Sequence, residues 1–149
     1  MNIESTIKKD CCHILESTGK TEVLIELMES LHRADIIKDL DALKTDIFYR
    51  EQLMSTGMSL GIAIPHVRFG GIDQPAIAIG VQPDGVPDYE SLDGEPIKIV
   101  VMIIVGAEQH KLHIRLLSQL MTKLKDSAFR NKLIEAPDAE TLYSLMVEK

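Results

Sequence analysis

The chain has 149 residues, 45% of them apolar and 26% charged, the composition of a globular protein about the size of one domain. Three tyrosines, three phenylalanines and no tryptophan leave an aliphatic core. A formal charge of −7 with no basic run argues against nucleic acid as a partner, and the longest apolar run, 99–105, is far short of the ~20 residues that span a bilayer, so no membrane insertion is expected.

Residues 1–20 are mixed in character, with a short strand or turn expected around 12–15 and a break at Gly19. Cys11 and Cys12 are adjacent and cannot close a useful loop, which points to a reducing, cytoplasmic setting. No apolar signal core opens the chain. Neighbouring residues rarely converge on one ion, so Cys11, Cys12 and His13 make a poor metal site, and neither metal nor cofactor is expected.

From Thr21 the apolar residues Val23, Leu24, Leu27, Met28 and Leu31 recur at helical spacing opposite Glu22, Glu26 and Glu29, which predicts an amphipathic helix over 21–33. A second helix is expected over 40–54, capped by Asp39 or Asp41, with Leu43, Ile47 and Leu53 inward. Arg50 and Glu51 fall in its last turns. On spacing alone Arg50 reads as a solvated cation favoured by the helix dipole, or as a group carried toward His66 if the chain doubles back.

The segment 55–66, STGMSLGIAIPH, is turn-rich and then apolar, and it stops at Pro65-His66. Gly57 and Gly61 suggest backbone angles that other residues resist, and Pro65 biases Ile64 toward an extended form, so a short strand over 61–64 should present His66. A histidine after a strand can simply hydrogen-bond a loop. A neutral imidazole can also act as a nucleophile through one nitrogen while the other is held by a hydrogen bond.

Residues 67–71 read as a loop turning at Gly70-Gly71, 76–81 as a strand, and 82–96 as a surface excursion with a turn at Asp93-Gly94. The run IKIVVMIIV at 97–105 is β-branched and almost wholly apolar, as expected for a central strand covered on both faces. A third helix over 108–125 buries Leu116, Leu117, Leu120, Met121 and Leu124, with His113 on the same stripe. His110 and His113 lie where that stripe meets the helix start, either as core histidines or beside an anion held at the helix N-terminus. Asp126 caps a fourth helix with Phe129, Leu133 and Ile134, and Pro137-Asp138 opens a fifth with Leu142, Leu145 and Met146. Interleaved strands and helices indicate one α/β domain over 1–149, a sandwich with a small mixed central sheet and helices on both faces.

There is no Walker loop, dinucleotide fingerprint, nucleophile elbow or H-E-x-x-H, so any phosphoryl group must arrive already activated. The segment TGMSLGIAIPH at 56–66 resembles the phosphorylation motif of the mannitol/fructose-type enzyme IIA domains of the bacterial phosphoenolpyruvate-dependent sugar phosphotransferase system, which include the nitrogen-regulatory IIA proteins. The likeness extends to Arg50-Glu51, to DGEP at 93–96 and to HIRLL at 113–117. It implies His66 as phosphoryl acceptor, His113 as the histidine supporting the phosphate and Arg50 as a stabilising cation. It also implies an HPr-type donor and either an enzyme IIB acceptor in trans or, in the nitrogen-type alternative, a regulatory target whose binding is switched by phosphorylation. Such a chain is a component of a phosphotransferase system rather than a stand-alone enzyme. Ser59 stands where the family often has glycine and Gly106 where proline commonly ends the central strand. Arg68, just past the acceptor, can face a partner or only solvent.

Overall fold

The computed structural model describes residues 2–148. A single turn, α1 (Ile3–Thr6), leads into β1 (Ile7–Ile14), longer than the expected strand or turn at 12–15. Two helices follow, α2 (Lys20–Arg33) and α3 (Leu40–Leu53), the latter capped by Asp39, whose side chain accepts from the amide of Ala42 at 3.0 Å. Then come β2 (Ile62–Ala63), β3 (His66–Arg68), β4 (Ala76–Val86), β5 (Ile97–Val105), α4 (His110–Leu124), α5 (Ser127–Ile134) and α6 (Ala139–Val147).

The strands form one mixed sheet in the order β1-β4-β5-β2, with β3 also on β5. β4 runs antiparallel to β5, while β1 is parallel to β4 and both β2 and β3 are parallel to β5. Alternation along β5 divides the core. Val100, Met102 and Ile104 pack with the buried residues of α2 and α3, whereas Val101, Ile103 and Val105 pack with Leu116, Leu120 and Leu124 of α4 and with α5 and α6. The sandwich with helices on both faces is therefore the observed architecture, and its centre is the strand 97–105.

Three local expectations are revised. His66 and Arg68 belong to a strand, not to the end of one and a following loop. Pro65 has no amide hydrogen and interrupts the ladder, but its carbonyl still accepts from Ile103 at 2.9 Å, so the edge resumes at once with His66 opposite Ile103. Gly57 has no left-handed backbone; it is needed because a Cβ there would lie 1.8 Å from the carbonyl oxygen of Glu90, whereas Gly61 does have φ +76°. Leu53 is 65% exposed rather than inward. At 100° per residue the face of Leu43 and Ile47 continues through Glu51, and it is Glu51 that is buried.

Gly106 ends β5 with an amide that donates to Oε1 of Gln109 at 2.6 Å, a bond that proline in its place could not make. These packing assignments predict that Leu116→Ala lowers the unfolding free energy by about 2–5 kcal/mol and Leu53→Ala by no more than ~0.5 kcal/mol, measured by urea denaturation.

Candidate active site

His66 opens an edge strand between two helices, α3 on one side of the sheet and α4 on the other. Its register partner Ile103 packs on the α4 side, and the two-residue period of a strand puts Arg68, opposite Val105, on that side too. His113, in the first turns of α4, meets His66 with ring centroids 4.8 Å apart and planes at 49°. Arg50, in the last turn of α3, comes round the sheet edge and places a guanidinium nitrogen 3.0 Å from Nε2 of His66. The structure thus brings together the three residues singled out from the sequence.

The bonds to the imidazole define its proton. Nδ1 of His66 lies 2.8 Å from the carbonyl oxygen of Ile64, which can only accept, so Nδ1 carries the hydrogen. Arg50 can only donate, so Nε2 carries the lone pair. The result is a neutral imidazole with its nucleophilic nitrogen directed at a cation.

The backbone that fixes the Ile64 carbonyl is a small antiparallel loop. Met58 donates to Ile62 at 2.8 Å and Ile64 donates to Thr56 at 3.1 Å, and the chain reverses through Leu60 and Gly61, both with positive φ. Asp93 holds the tip by accepting from the Leu60 amide at 3.0 Å.

A cavity of about 190 Å³ opens beside His66, lined by Arg50, Val67, Arg68, His110 and His113. No carboxylate lines it, and among the described residues neither arginine makes an ion pair. His113 is held neutral: burial first, and then the basic neighbours His66, His110, Arg50 and Arg68, push its pKa down to about 4. Its Nδ1 is buried and, among the described residues, has no hydrogen-bond partner. The charge available at neutral pH is therefore that of the arginines. On the other side of Arg50 and His66 lies an apolar cavity of about 370 Å³, bordered by Leu53, Met54, Met58, Leu92 and Leu117. Leu53, Met54 and Leu92 are 65%, 78% and 80% exposed.

Sequence reasoning missed the support behind Arg50. Glu51 is buried, and its carboxylate meets Nζ of Lys20 at 3.0 Å, the amide and hydroxyl of Thr56, and the Tyr89 hydroxyl at 3.2 Å. The signal was present in the spacing Leu43, Ile47, Glu51, which puts a carboxylate on the inward stripe. Among the described residues no group of three or more His, Cys, Asp or Glu side chains is arranged to hold a metal ion.

Because His113 has a lower pKa folded than unfolded, the unfolded chain binds more protons between about pH 6.5 and pH 4, so stability falls as the pH drops through that window. His113→Gln is expected to flatten this part of the stability profile, as followed by denaturation midpoints at several pH values.

Residues 5–149 match the family described as "Phosphoenolpyruvate-dependent sugar phosphotransferase system, EIIA 2". Over 132 residues the chain is 39% identical to the fructose-specific EIIABC component of Bacillus subtilis; the match covers 89% of this chain but only 21% of that relative, about a fifth of its length. It is 34% identical over 130 residues to a nitrogen regulatory protein of Pseudomonas aeruginosa, covering 87% of this chain and 84% of the relative. The crystal structure of the nitrogen regulatory protein IIA-Ntr from Neisseria meningitidis superposes with a TM-score of 0.86 at 25% identity, over 97% of this chain and 98% of that one. A family match along nearly the whole chain, joined to the same fold, makes this protein a member of the EIIA 2 family of the phosphoenolpyruvate-dependent sugar phosphotransferase system.

Proposed function

We propose that the chain, 1–149, acts as one phosphocarrier domain in which Nε2 of His66 accepts a phosphoryl group from the phosphohistidine of an HPr-type protein and passes it to an enzyme IIB partner. The observation that carries this reading is the orientation of His66, with Nδ1–H on a carbonyl and the Nε2 lone pair facing Arg50.

In the accepting step the Nε2 lone pair forms a bond to phosphorus as the donor's N–P bond breaks. The donor imidazole keeps that electron pair, and the His66 proton stays on Nδ1, where the Ile64 carbonyl holds it. Such a transfer needs alignment and charge stabilisation more than a strong base. Arg50 moves from the lone pair onto the phosphate oxygens. At ~4 Å and an effective dielectric of ~20 its raw Coulomb attraction is of order 4 kcal/mol per unit charge, before desolvation. His113, neutral beforehand, stands against the His66 ring and gains from the arriving anion the opposite charge that favours its protonation.

The partner docks over the exposed Leu53, Met54 and Leu92 at the rim of the apolar cavity, which puts its reacting atom above His66. No described helix is long and apolar enough to cross a membrane, in keeping with a cytoplasmic carrier that meets protein partners. The likeness to nitrogen regulatory proteins favours a second role for the same chemistry. A phosphate of about −1.5 to −2 charge added beside that apolar rim would switch the binding of a regulatory target.

Incubation with phosphoenolpyruvate, enzyme I and HPr should add one acid-labile phosphoryl group to the native chain, read by intact mass, and none to His66→Ala. Arg50→Ala should accept the group about 10²-fold more slowly, comparable to the loss of a preorganised charge-stabilising donor. An unmodified native chain, or equal modification of His66→Ala, would contradict the proposal.

A further inference from the structure

The inward stripe of α3 reads Leu43, Ile47, Glu51, and packing alone would be met by an aliphatic side chain at the third position. A carboxylate stands there instead, with Lys20 brought in from the first turn of α2 to balance it; their side chains are only 6% and 15% exposed. Buried ion pairs are weak devices for stability, since the desolvation of both charges offsets most of their attraction. What the carboxylate does is gather donors. It accepts the Lys20 ammonium, the Tyr89 hydroxyl, and both the amide and the hydroxyl of Thr56.

Thr56 connects this cluster to the imidazole. Its carbonyl accepts the Ile64 amide at 3.1 Å, and the Ile64 carbonyl accepts Nδ1–H of His66 at 2.8 Å. The other nitrogen of His66 meets Arg50, the residue covalently next to Glu51. The contacts therefore close a ring: Glu51 to Thr56, Thr56 to Ile64, Ile64 to His66, His66 to Arg50, and back along the backbone to Glu51. One restraint on the imidazole runs by hydrogen bonds to the buried carboxylate, and the other comes from the residue beside it in the chain.

We propose that Glu51 is a positioning residue that acts through Thr56 and Ile64 on one side and Arg50 on the other to hold His66 in the Nδ1–H tautomer, leaving Nε2 as the phosphoryl-accepting atom. Without the carboxylate the strap at 55–57 loses its anchor and the Ile64 carbonyl is no longer held against the ring. The fraction of histidine with the wrong nitrogen protonated then rises. Lys20 shares this function as the counter-charge, with Glu90 at 3.2 Å taking the ammonium on its outer side. The proposal rests on His66 being the acceptor, but the tautomer it specifies can be measured without any phosphoryl transfer.

The test compares native chain, Glu51→Gln and Thr56→Val by histidine ¹⁵N NMR and by the rate of phosphoryl acceptance from phospho-HPr, at a temperature where circular dichroism shows all three folded. Glu51→Gln keeps the volume and loses the charge; it is expected to show a mixed His66 tautomer and acceptance slowed at least tenfold. Thr56→Val keeps the amide and loses the hydroxyl that meets the carboxylate; it is expected to shift the tautomer in the same direction as Glu51→Gln. Native ¹⁵N shifts and native rates in Glu51→Gln would overturn the proposal, and so would a slowed rate with an unchanged tautomer, which is what a purely structural role gives. Should the native chain itself accept no phosphoryl group, the phosphocarrier reading fails, while the ¹⁵N comparison still decides whether Glu51 sets the tautomer.

Discussion

The hydrogen bond from Nδ1 of His66 to the carbonyl of Ile64 is the constraint on which the proposed chemistry depends. It decides which nitrogen is free, and it exists only because the two residues are separated by a proline that breaks the ladder between β2 and β3 without ending the edge. The rest of the site serves that geometry. β5 supplies the register that sets His66 opposite Ile103, α4 brings His113 against the ring, and α3 carries Arg50 to the lone pair.

Electrostatically the protein is divided. The chain carries −7 overall, yet the cavity beside His66 is lined by Arg50, Arg68 and two further histidines and, among the described residues, by no carboxylate. A site of this kind is poised for an anion that comes and goes. His113 contributes little charge of its own, because burial and its basic neighbours hold it neutral. Glu51, next to Arg50 in the chain, is turned away into its own cluster with Lys20, Thr56 and Tyr89 and does not line the cavity.

Much of this was legible in the sequence because it follows from periodicity. The apolar run at 97–105, the stripe of α2 and the caps Asp39, Asp126 and Asp138 all lie where their patterns put them. The approach of Arg50 to His66 could be conceived from the turn between them, but its choice over a solvated cation came from the family likeness. The misreadings arose where tertiary contact overrides local pattern. Leu53 looked like core because it is leucine, though the helical period favours Glu51; Gly57 looked like a turn glycine, though what excludes a side chain is the carbonyl of Glu90, 33 residues away in sequence. Strand β3 was hidden by Pro65, whose lost amide reads as an ending until the pairing partner is known.

The proposed transfer stands on Nε2 of His66 as the nucleophile. The direct measurement is ³¹P–¹⁵N correlated NMR of the phosphorylated chain, which distinguishes the two ring nitrogens. Phosphorus is expected on Nε2 of His66, with the Nδ1 proton retained. Phosphorus on Nδ1 of His66, or on His113 or His110, would contradict it.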